Sequence, residues 1–349
     1  MMHKVFKKSL VLLWACLPFS PLGIGVEKAA AQGMHFSQFY NAPMLVSPAN
    51  TGLMSDKDYR VGANYRSQWQ SLPVPFTTAA LYGDLQVFRR KFGTNWLGIG
   101  GAMFTDKAGD GNLSLTRFEA SLAYHIELGE KFMVSVGGSV ASVNRTVDFG
   151  KLTFDEQWDG YVFNSTLANG EQGHLSSAKY MDIGAGLNFA IIPSDLVYIK
   201  IGGAVAHINQ PTESFYNQDN KIGMRGTGYI DMLARIGHSV IFNPAVYFTN
   251  EKGATELVYG TLFSVFTGGD EGNGSIVFGA YNRWGESLIG TFGYDWNGLR
   301  AMVSYDFTIS QLGSYNNHNG ALEFGLRFQG SYPENKNSNS RRIYNCPRF

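Results

Sequence analysis

Residues 59–69 read Tyr-Arg-Val-Gly-Ala-Asn-Tyr-Arg-Ser-Gln-Trp, and this stretch decides the fold. Its apolar and polar side chains alternate, with Tyr59, Val61, Ala63, Tyr65 and Trp69 on one face and Arg60, Asn64, Arg66 and Gln68 on the other. Successive side chains of a β-strand point to opposite faces. We therefore predict a strand with one face against lipid and the other against a polar interior.

The same alternation recurs along the chain, at 79–87, 117–126, 132–140, 180–189, 197–205, 299–308 and 322–329. No stretch after residue 31 approaches the roughly 18 consecutive apolar residues of a spanning helix. The whole pattern predicts about fourteen strands. The predicted fold class is therefore all-β: a transmembrane antiparallel β-barrel, which follows a cleaved signal peptide.

Connection lengths agree with a barrel whose two ends both lie on the periplasmic side. We number the connections between successive predicted strands in chain order. The longest are all odd-numbered: 144–178, 209–228 and 310–320. Even-numbered connections are short, for example 128–131, 193–195 and 295–298. Long outer loops and short periplasmic turns are typical of bacterial outer-membrane barrels. We predict the cell outer membrane as the location and its lipids as partners.

Composition excludes several other classes. Charged residues make up 16% of the chain, against roughly 25% in soluble domains, while the 42 glycines and 14% aromatic residues are high. A soluble antiparallel sandwich also alternates, but charged side chains would cover its outside. The formal net charge of zero gives no support to nucleic-acid binding.

Four regions are expected along the chain. Residues 1–31 have a basic start, a short apolar core and a run of alanines, the pattern of a signal peptide. Residues 32–58 lack alternation and contain two prolines, which fits a periplasmic entry segment, a lumen plug or a flexible terminus. The barrel is expected at 59–329 and a polar periplasmic tail at 330–349. Cleavage would leave Cys346 as the one cysteine, which precludes an intrachain disulfide.

Enzyme signatures are weak. The histidines are scattered without metal-ligand spacing, and no nucleophile, base and orienting group can be placed together. His125 falls on a polar strand face, which favours a hydrogen-bonding role in the lumen, and 106–112 fits a glycine-rich turn better than a calcium loop. Gly98, Gly100 and Gly101 lie inside a strand pattern and suggest close packing or a bend in the barrel wall. We predict no enzymatic activity, no metal and no cofactor.

Charged residues on the polar faces are expected to point into the lumen: Arg60, Arg66, Asp84, Arg117, Glu119, Asp182, Lys200, Asp231, Arg235, Glu256, Arg300, Asp306, Glu323 and Arg327. Because both signs are present, pairing across strands would favour a rigid or plugged scaffold. The alternative is a porin-like diffusion channel for small solutes, constricted by a loop that folds inward. Connection 144–178 could be that loop, or an external protein-binding surface that includes Trp158, Tyr161 and Phe163.

Several short motifs resemble, in order and spacing, the PorP/SprF family of Bacteroidetes outer-membrane proteins. They are Phe-Ser-Gln-Phe-Tyr-Asn-Ala-Pro at 36–43, Pro-Ala-Asn-Thr-Gly at 48–52, Arg66 with Trp69, and the stretches 207–211, 277–283, 293–295, 303–306, 320–323 and 346–349. The likeness extends from about residue 34 to residue 349.

The resemblance implies a noncatalytic component of the type IX secretion and gliding machinery. Such a protein would act in protein secretion or cell-surface attachment by binding periplasmic and surface proteins of that system, with a secreted adhesin as a further candidate partner. The polar tail fits either a solvated terminus or a docking peptide. The docking interpretation makes Arg341, Arg342, Cys346, Pro347, Arg348 and Phe349 candidate partner-binding residues, beside the three aromatic residues of connection 144–178.

Overall fold

A computed structural model describes residues 36–54, 57–70, 75–92, 95–109, 111–129, 131–170, 175–216, 218–267 and 274–333. The predicted signal peptide, residues 1–31, lies outside the described residues. So does the predicted tail after residue 333.

Fourteen antiparallel strands close into a barrel in which each strand pairs with its neighbours along the chain and the last strand pairs with the first. The strands are β1 (Tyr59–Gln68), β2 (Phe76–Phe92), β3 (Asn95–Ala108), β4 (Leu113–Leu128), β5 (Phe132–Thr146), β6 (Ser177–Ser194), β7 (Val197–Ala206), β8 (Arg225–Ile236), β9 (Val240–Glu251), β10 (Ala254–Thr267), β11 (Gly274–Arg283), β12 (Ser287–Trp296), β13 (Leu299–Thr308) and β14 (Asn319–Gly330). The predicted fourteen-stranded barrel is confirmed.

Helices are few and short. Helix α1 (Pro43–Val46) and a 3₁₀ turn (Pro48–Asn50) precede the barrel, two 3₁₀ turns (Phe149–Lys151 and Asp155–Gln157) follow β5, and α2 (Gly313–Asn316) lies between β13 and β14. Among the described residues, no helix combines the length and hydropathy needed to cross a bilayer.

The barrel is apolar outside and polar inside. On β1, Val61 is 49% exposed, whereas Arg60 and Arg66 are each 3% exposed. The same inversion recurs on β2, where Leu81 is 57% exposed and its neighbour Tyr82 is buried. An exposed apolar side chain forgoes about 1.5–3 kcal/mol of burial free energy in water. An outer face of exposed apolar side chains therefore requires lipid around it. Because lipid offers no hydrogen-bond partners, the backbone groups of the strand edges must pair with each other, which closure of the barrel achieves.

The connections between strands are long at one end of the barrel and short at the other, as the sequence predicts. The odd-numbered connections include the three longest, 147–176, 207–224 and 309–318, and all lie at one end of the barrel. The even-numbered turns at the other end are short, for example 195–196 and 297–298. We call the end with the long connections the outer end and the end with the short turns the short-turn end. One detail differs: β1 ends at Gln68, and Trp69 has a φ of 57°, which breaks the strand pattern one residue earlier than expected.

Candidate functional site

The N-terminal segment, residues 36–54, runs through the inside of the barrel. Its first residues contact β13 and β14, since Ser37 bonds Asp306 and Glu323. Its later residues contact other parts of the wall: the Ala49 carbonyl accepts a hydrogen bond from Asn188 of β6 at 2.9 Å, and the Thr51 hydroxyl donates one to Ser121 of β4 at 2.8 Å. Proline 43 begins α1, where an absent N–H costs little. The segment therefore spans the lumen.

A buried ionic cluster holds the start of this segment, and we call it the Ser37 cluster. The Ser37 hydroxyl donates to the Asp306 carboxylate at 2.8 Å and accepts hydrogen bonds from Arg66 Nη1 at 2.6 Å and Arg283 Nη2 at 3.1 Å. The Ser37 backbone N–H donates to Glu323 Oε2 at 2.7 Å. Arg66 also pairs with Asp306 at 2.9 Å. Four strands thus converge on one serine of the N-terminal segment.

Ion pairs between strands join the charged groups of this cluster. Arg283 pairs with Glu256 Oε1 at 2.8 Å and with Asp306 Oδ2 at 3.0 Å, so β10, β11 and β13 share one guanidinium. All of these side chains are buried. Buried charges are tolerated when they are paired and fully hydrogen-bonded. Removing either arginine would therefore leave buried carboxylates without enough positive charge to compensate them.

A second cluster, the Thr51–Gly52 cluster, holds the end of the segment. The Gly52 backbone N–H donates to Asp84 Oδ2 at 2.7 Å, and the Gly52 carbonyl accepts from the Trp96 indole N–H at 3.0 Å. The Thr51 carbonyl accepts from His125 Nε2 at 2.8 Å. These contacts satisfy backbone groups that would otherwise be buried without partners.

His125 is fully buried beneath the segment. Its ring stacks on Trp96 at 4.9 Å between centroids, and Nδ1 lies 2.7 Å from the Ser135 hydroxyl. A carbonyl oxygen can only accept, so Nε2 donates to it, and in that tautomer of the neutral ring Nδ1 accepts a hydrogen bond from the Ser135 hydroxyl. The predicted hydrogen-bonding role of His125 in the lumen is confirmed.

Glycines in the wall make room for the segment. A Cβ atom at Gly98 would overlap the Thr51 carbonyl oxygen, and one at Gly137 would lie 2.5 Å from Pro48 carbonyl atoms. The close packing predicted for the β3 glycines is therefore confirmed at Gly98 and Gly100, but at Gly101 an added Cβ would meet only the Glu119 carbonyl oxygen at an ordinary 3.5 Å. The packing partner is the N-terminal segment, and Gly100 faces the Thr51 methyl group in the same way.

Aromatic rings fill the space between the two clusters. Tyr40 stacks on Tyr281 of β11 at 5.4 Å between centroids, and Phe39 stacks on Tyr247 of β9 at 5.5 Å. The Tyr40 hydroxyl lies 2.9 Å from that of Thr291, and burial raises the pKa of Tyr40 well above its ordinary value. These contacts extend the packing of the segment to β9, β11 and β12.

The predicted pairing of lumen charges is confirmed at several further positions. Pairs join Arg60 to Asp84, Arg117 to Glu119 and Asp182, Lys200 to Asp231, and Arg300 to Asp295. His207, at the start of the β7–β8 connection, also bonds Asp182 through Nδ1 at 2.9 Å. Arg235 differs, because its guanidinium donates to the His238 carbonyl at the short-turn end.

The three predicted aromatic residues of the β5–β6 connection lie together on an exposed turn, which we call the outer turn (158–163). Trp158 and Phe163 form a β-bridge that brackets the turn. Asp159 accepts hydrogen bonds from the backbone N–H groups of Val162 and Tyr161, which lower the pKa of its carboxyl. Tyr161 is 89% exposed. The turn therefore presents an aromatic surface instead of packing into the lumen.

The predicted tail residues Arg341, Arg342, Cys346, Pro347, Arg348 and Phe349 lie outside the described residues. The described start of the tail is anchored at the short-turn end, where the Tyr332 backbone N–H donates to Asp58 Oδ2 at 2.7 Å. The Tyr332 hydroxyl also lies 3.3 Å from the Gln86 carbonyl.

Comparison with known proteins gives the family. The profile of the type IX secretion system membrane protein PorP/SprF matches residues 28–328. The chain belongs to the PorP/SprF family. No curated protein matches it by sequence. The family and the barrel fold together place this PorP/SprF protein in the outer membrane.

Solved structures agree on the fold. A TodX deltaS2S3 mutant, a monoaromatic hydrocarbon channel, has a TM-score of 0.52 at 9% identity and covers 84% of this chain and 94% of its own. The toluene transporters TodX of P. putida and TbuX of Ralstonia pickettii both have TM-scores of 0.49, at 9% and 10% identity. Both alignments cover 84% of this chain, with 95% of TodX and 94% of TbuX. At 9% identity, the likeness to the TodX deltaS2S3 mutant shows a shared fold and nothing more, and nothing is inferred from the two structures with TM-scores below 0.5.

Two parts of the site escape sequence analysis of this PorP/SprF protein. Arg283 ends β11 and bonds Ser37, although nothing in its own strand marks it as a lumen cation. Ser37 and Gln38 precede the first strand, so alternation cannot report which way they face. Their one sequence signal is membership of the polar and aromatic motif at 36–43. Among the described residues, no group of His, Cys, Asp or Glu could hold a metal ion.

Proposed function

We propose that this protein is a noncatalytic scaffold of the type IX secretion and gliding machinery. It acts in protein secretion or in the cell-surface attachment of secreted proteins by binding partner proteins. Residues 1–31 are removed on export, and residues 59–329 span the membrane. The observation that carries the proposal is the N-terminal segment held across the lumen by two buried clusters.

An occupied lumen favours a scaffold over a diffusion channel. Solutes need a continuous aqueous path, whereas the segment meets the wall from β14 through β4. The outer turn of the β5–β6 connection also exposes Trp158, Tyr161 and Phe163, which supports a contact surface over the inward constriction loop of a porin. Partner binding at the two ends of the barrel is then the remaining role for the exposed surfaces.

The outer turn is the proposed contact for surface proteins, including a secreted adhesin. Tyrosine and tryptophan dominate the energetics of protein interfaces because they bury large areas at small entropic cost. The outer turn places Trp158, Tyr161 and Phe163 within six residues, and internal hydrogen bonds from Asp159 hold the turn before any partner binds. Such preorganisation lowers the entropic cost of association.

Replacing Tyr161 with Ala is expected to reduce recovery of surface partners by roughly thirtyfold, the effect of losing a hot spot worth about 2 kcal/mol. Affinity purification from native outer membranes, with quantified partner proteins, measures this. Tyr315→Ala is the matched control, because Tyr315 is 87% exposed on a different outer connection. Equal recovery with the two variants would show that the outer turn has no special role.

The tail is the proposed contact for periplasmic components of the secretion system. Its candidate residues, Arg341, Arg342, Cys346, Pro347, Arg348 and Phe349, combine cationic and apolar groups. It follows β14 at the short-turn end, where Tyr332 fixes its first residues. Attachment there would leave the outer turn free for other partners.

Deleting residues 334–349 is expected to abolish most recovery of periplasmic partners and to leave surface partners bound. The truncation retains Tyr332 and the complete barrel, so insertion should be unaffected. Heat-modifiable electrophoretic mobility verifies folding, and quantified pull-down verifies binding. Full recovery of periplasmic proteins by the truncated chain would make the tail a simple solvated terminus.

A further inference from the structure

A cavity of about 540 Å³ lies between the N-terminal segment and the wall at the short-turn end. Its lining includes Tyr40 and Met54 of the segment and Gly298 of the β12–β13 turn. Ligand cavities in proteins commonly measure about 300–1,000 Å³. The space is therefore large enough for a small molecule that enters from the periplasm.

Arg327 of β14 lines this cavity and is only 8% exposed. Its Nε is buried without a hydrogen-bond partner. No carboxylate of the described residues lies within ion-pair distance of its guanidinium, in contrast to the other inward arginines of β1, β11 and β13. Its register neighbours are Gly62 on β1 and Arg300 on β13, neither of which supplies negative charge.

The charged lining of the cavity is cationic overall. Four described lining residues are cations, Lys57, Lys200, Arg300 and Arg327, and two are anions, Asp231 and Asp295. The anions are already engaged, since Asp295 pairs with Arg300 at 2.8 Å and Asp231 with Lys200 at 3.5 Å. The positive charge of Arg327 therefore remains without compensation in the described part of the lining.

The rest of the lining is apolar in part. Leu53, Met133, Leu233, Ile241 and Phe266 all border the cavity. A site of this kind suits a ligand that has both an anionic group and an apolar body. A planar guanidinium can donate two parallel hydrogen bonds to two oxygens of a carboxylate or a phosphate. Such charge-assisted hydrogen bonds are stronger than hydrogen bonds between neutral groups.

We propose that this cavity binds an oxyanion, a carboxylate or a phosphate carried on an apolar group, and that Arg327 is the residue that binds it. The oxyanion supplies the counter-charge that the described part of the lining does not provide. The proposal concerns a site separate from the outer turn and the tail, so it does not depend on their roles.

Fluorine NMR of the full chain in detergent micelles tests the site with three probes. The probes are 4-fluorobenzoate, 4-fluorophenyl phosphate and the neutral 4-fluorobenzamide, which share one ring. We expect at least one anion to bind about tenfold or more tightly than the amide, because charge-assisted bonds contribute about 1.5–3 kcal/mol. The stronger anion identifies carboxylate or phosphate as the natural group. Equal binding of all three probes would overturn the proposal without any mutation.

Arg327→Gln is expected to abolish the preference for the anion, and Arg327→Lys to retain part of it. The matched control is Arg225→Gln, which removes an arginine whose Nε is also buried without a partner but which begins β8 at the outer end. The control should keep the full preference. A preference that survives in both Gln variants would assign the anion to another site and reject Arg327.

Discussion

Replacing Gly98 with Val is expected to convert a barrel with little conductance into one with large, steady channels. The Cβ of residue 98 would overlap the carbonyl oxygen of Thr51, so the segment cannot keep its place beside β3. Overpacking costs about 1–3 kcal/mol where side chains can yield, and backbone atoms yield less. That range alone shifts an equilibrium between docked and released segments by about 5- to 150-fold.

Single-channel recording in planar lipid bilayers measures the effect. Gly101→Val is the matched control, since Gly101 lies on the same strand and faces outward, with only the Glu119 carbonyl at 3.5 Å from an added Cβ. Gly137→Val gives a second, independent clash, with Pro48 on the other side of the segment. Large steady channels in the unmodified protein would instead support the porin-like alternative.

The second large effect is expected from Arg283→Met, which should lower the free energy of unfolding by about 3–5 kcal/mol, the usual result of removing one partner from a buried ion pair. Arg283 is 3% exposed and serves Glu256 and Asp306 as well as the Ser37 hydroxyl. A methionine keeps the volume of the side chain but leaves both carboxylates with one cation fewer.

Urea unfolding of the refolded barrel in detergent or lipid measures this loss. Arg145→Met is the control, because its pair with Glu213 is partly exposed and such pairs contribute at most about 1 kcal/mol. Adding Glu256→Gln to Arg283→Met should restore part of the stability, since an amide needs no counter-charge. Equal losses for the two arginine variants would contradict a buried ionic anchor.

The N-terminal segment belongs to the interior of the barrel, and the Gly98 and Arg283 substitutions would each disturb its contacts there. The segment brings its own polar groups to carboxylates and arginines that the strands already hold. A barrel filled in this way can remain rigid while partners bind at either end. On the proposed function, this PorP/SprF protein uses its wall for membrane insertion and its ends for recognition of partner proteins.

Alternation predicted the strands well because lipid outside and polar groups inside impose opposite requirements on successive residues. Arg60, Arg66 and Asp84 were assigned to the interior from period alone, and each is buried in an ion pair. The separation of long and short connections follows from the same strand count. Adjacent strands run in opposite directions, so successive connections lie at opposite ends of the barrel.

Positions outside the strands could not be assigned in this way. Ser37 has no neighbours of alternating polarity, and its bonds reach Asp306 and Glu323, some 270 to 290 residues later in the chain. Arg283 does lie in a strand, but its partners are on β10 and β13, so its role as an ionic anchor depends on closure of the whole sheet. The shape of the outer turn likewise comes from its own contacts, the β-bridge between Trp158 and Phe163 and the hydrogen bonds to Asp159, which strand period does not record.

The amino-acid sequence by itself determined that this protein is an outer-membrane barrel of about fourteen strands, because side-chain period is a local property that each strand expresses independently. Only the tertiary structure decided what occupies the lumen and that no carboxylate of the described residues pairs with Arg327. Those features arise when closure brings distant strands around a single interior, and no local pattern records which distant groups will meet there.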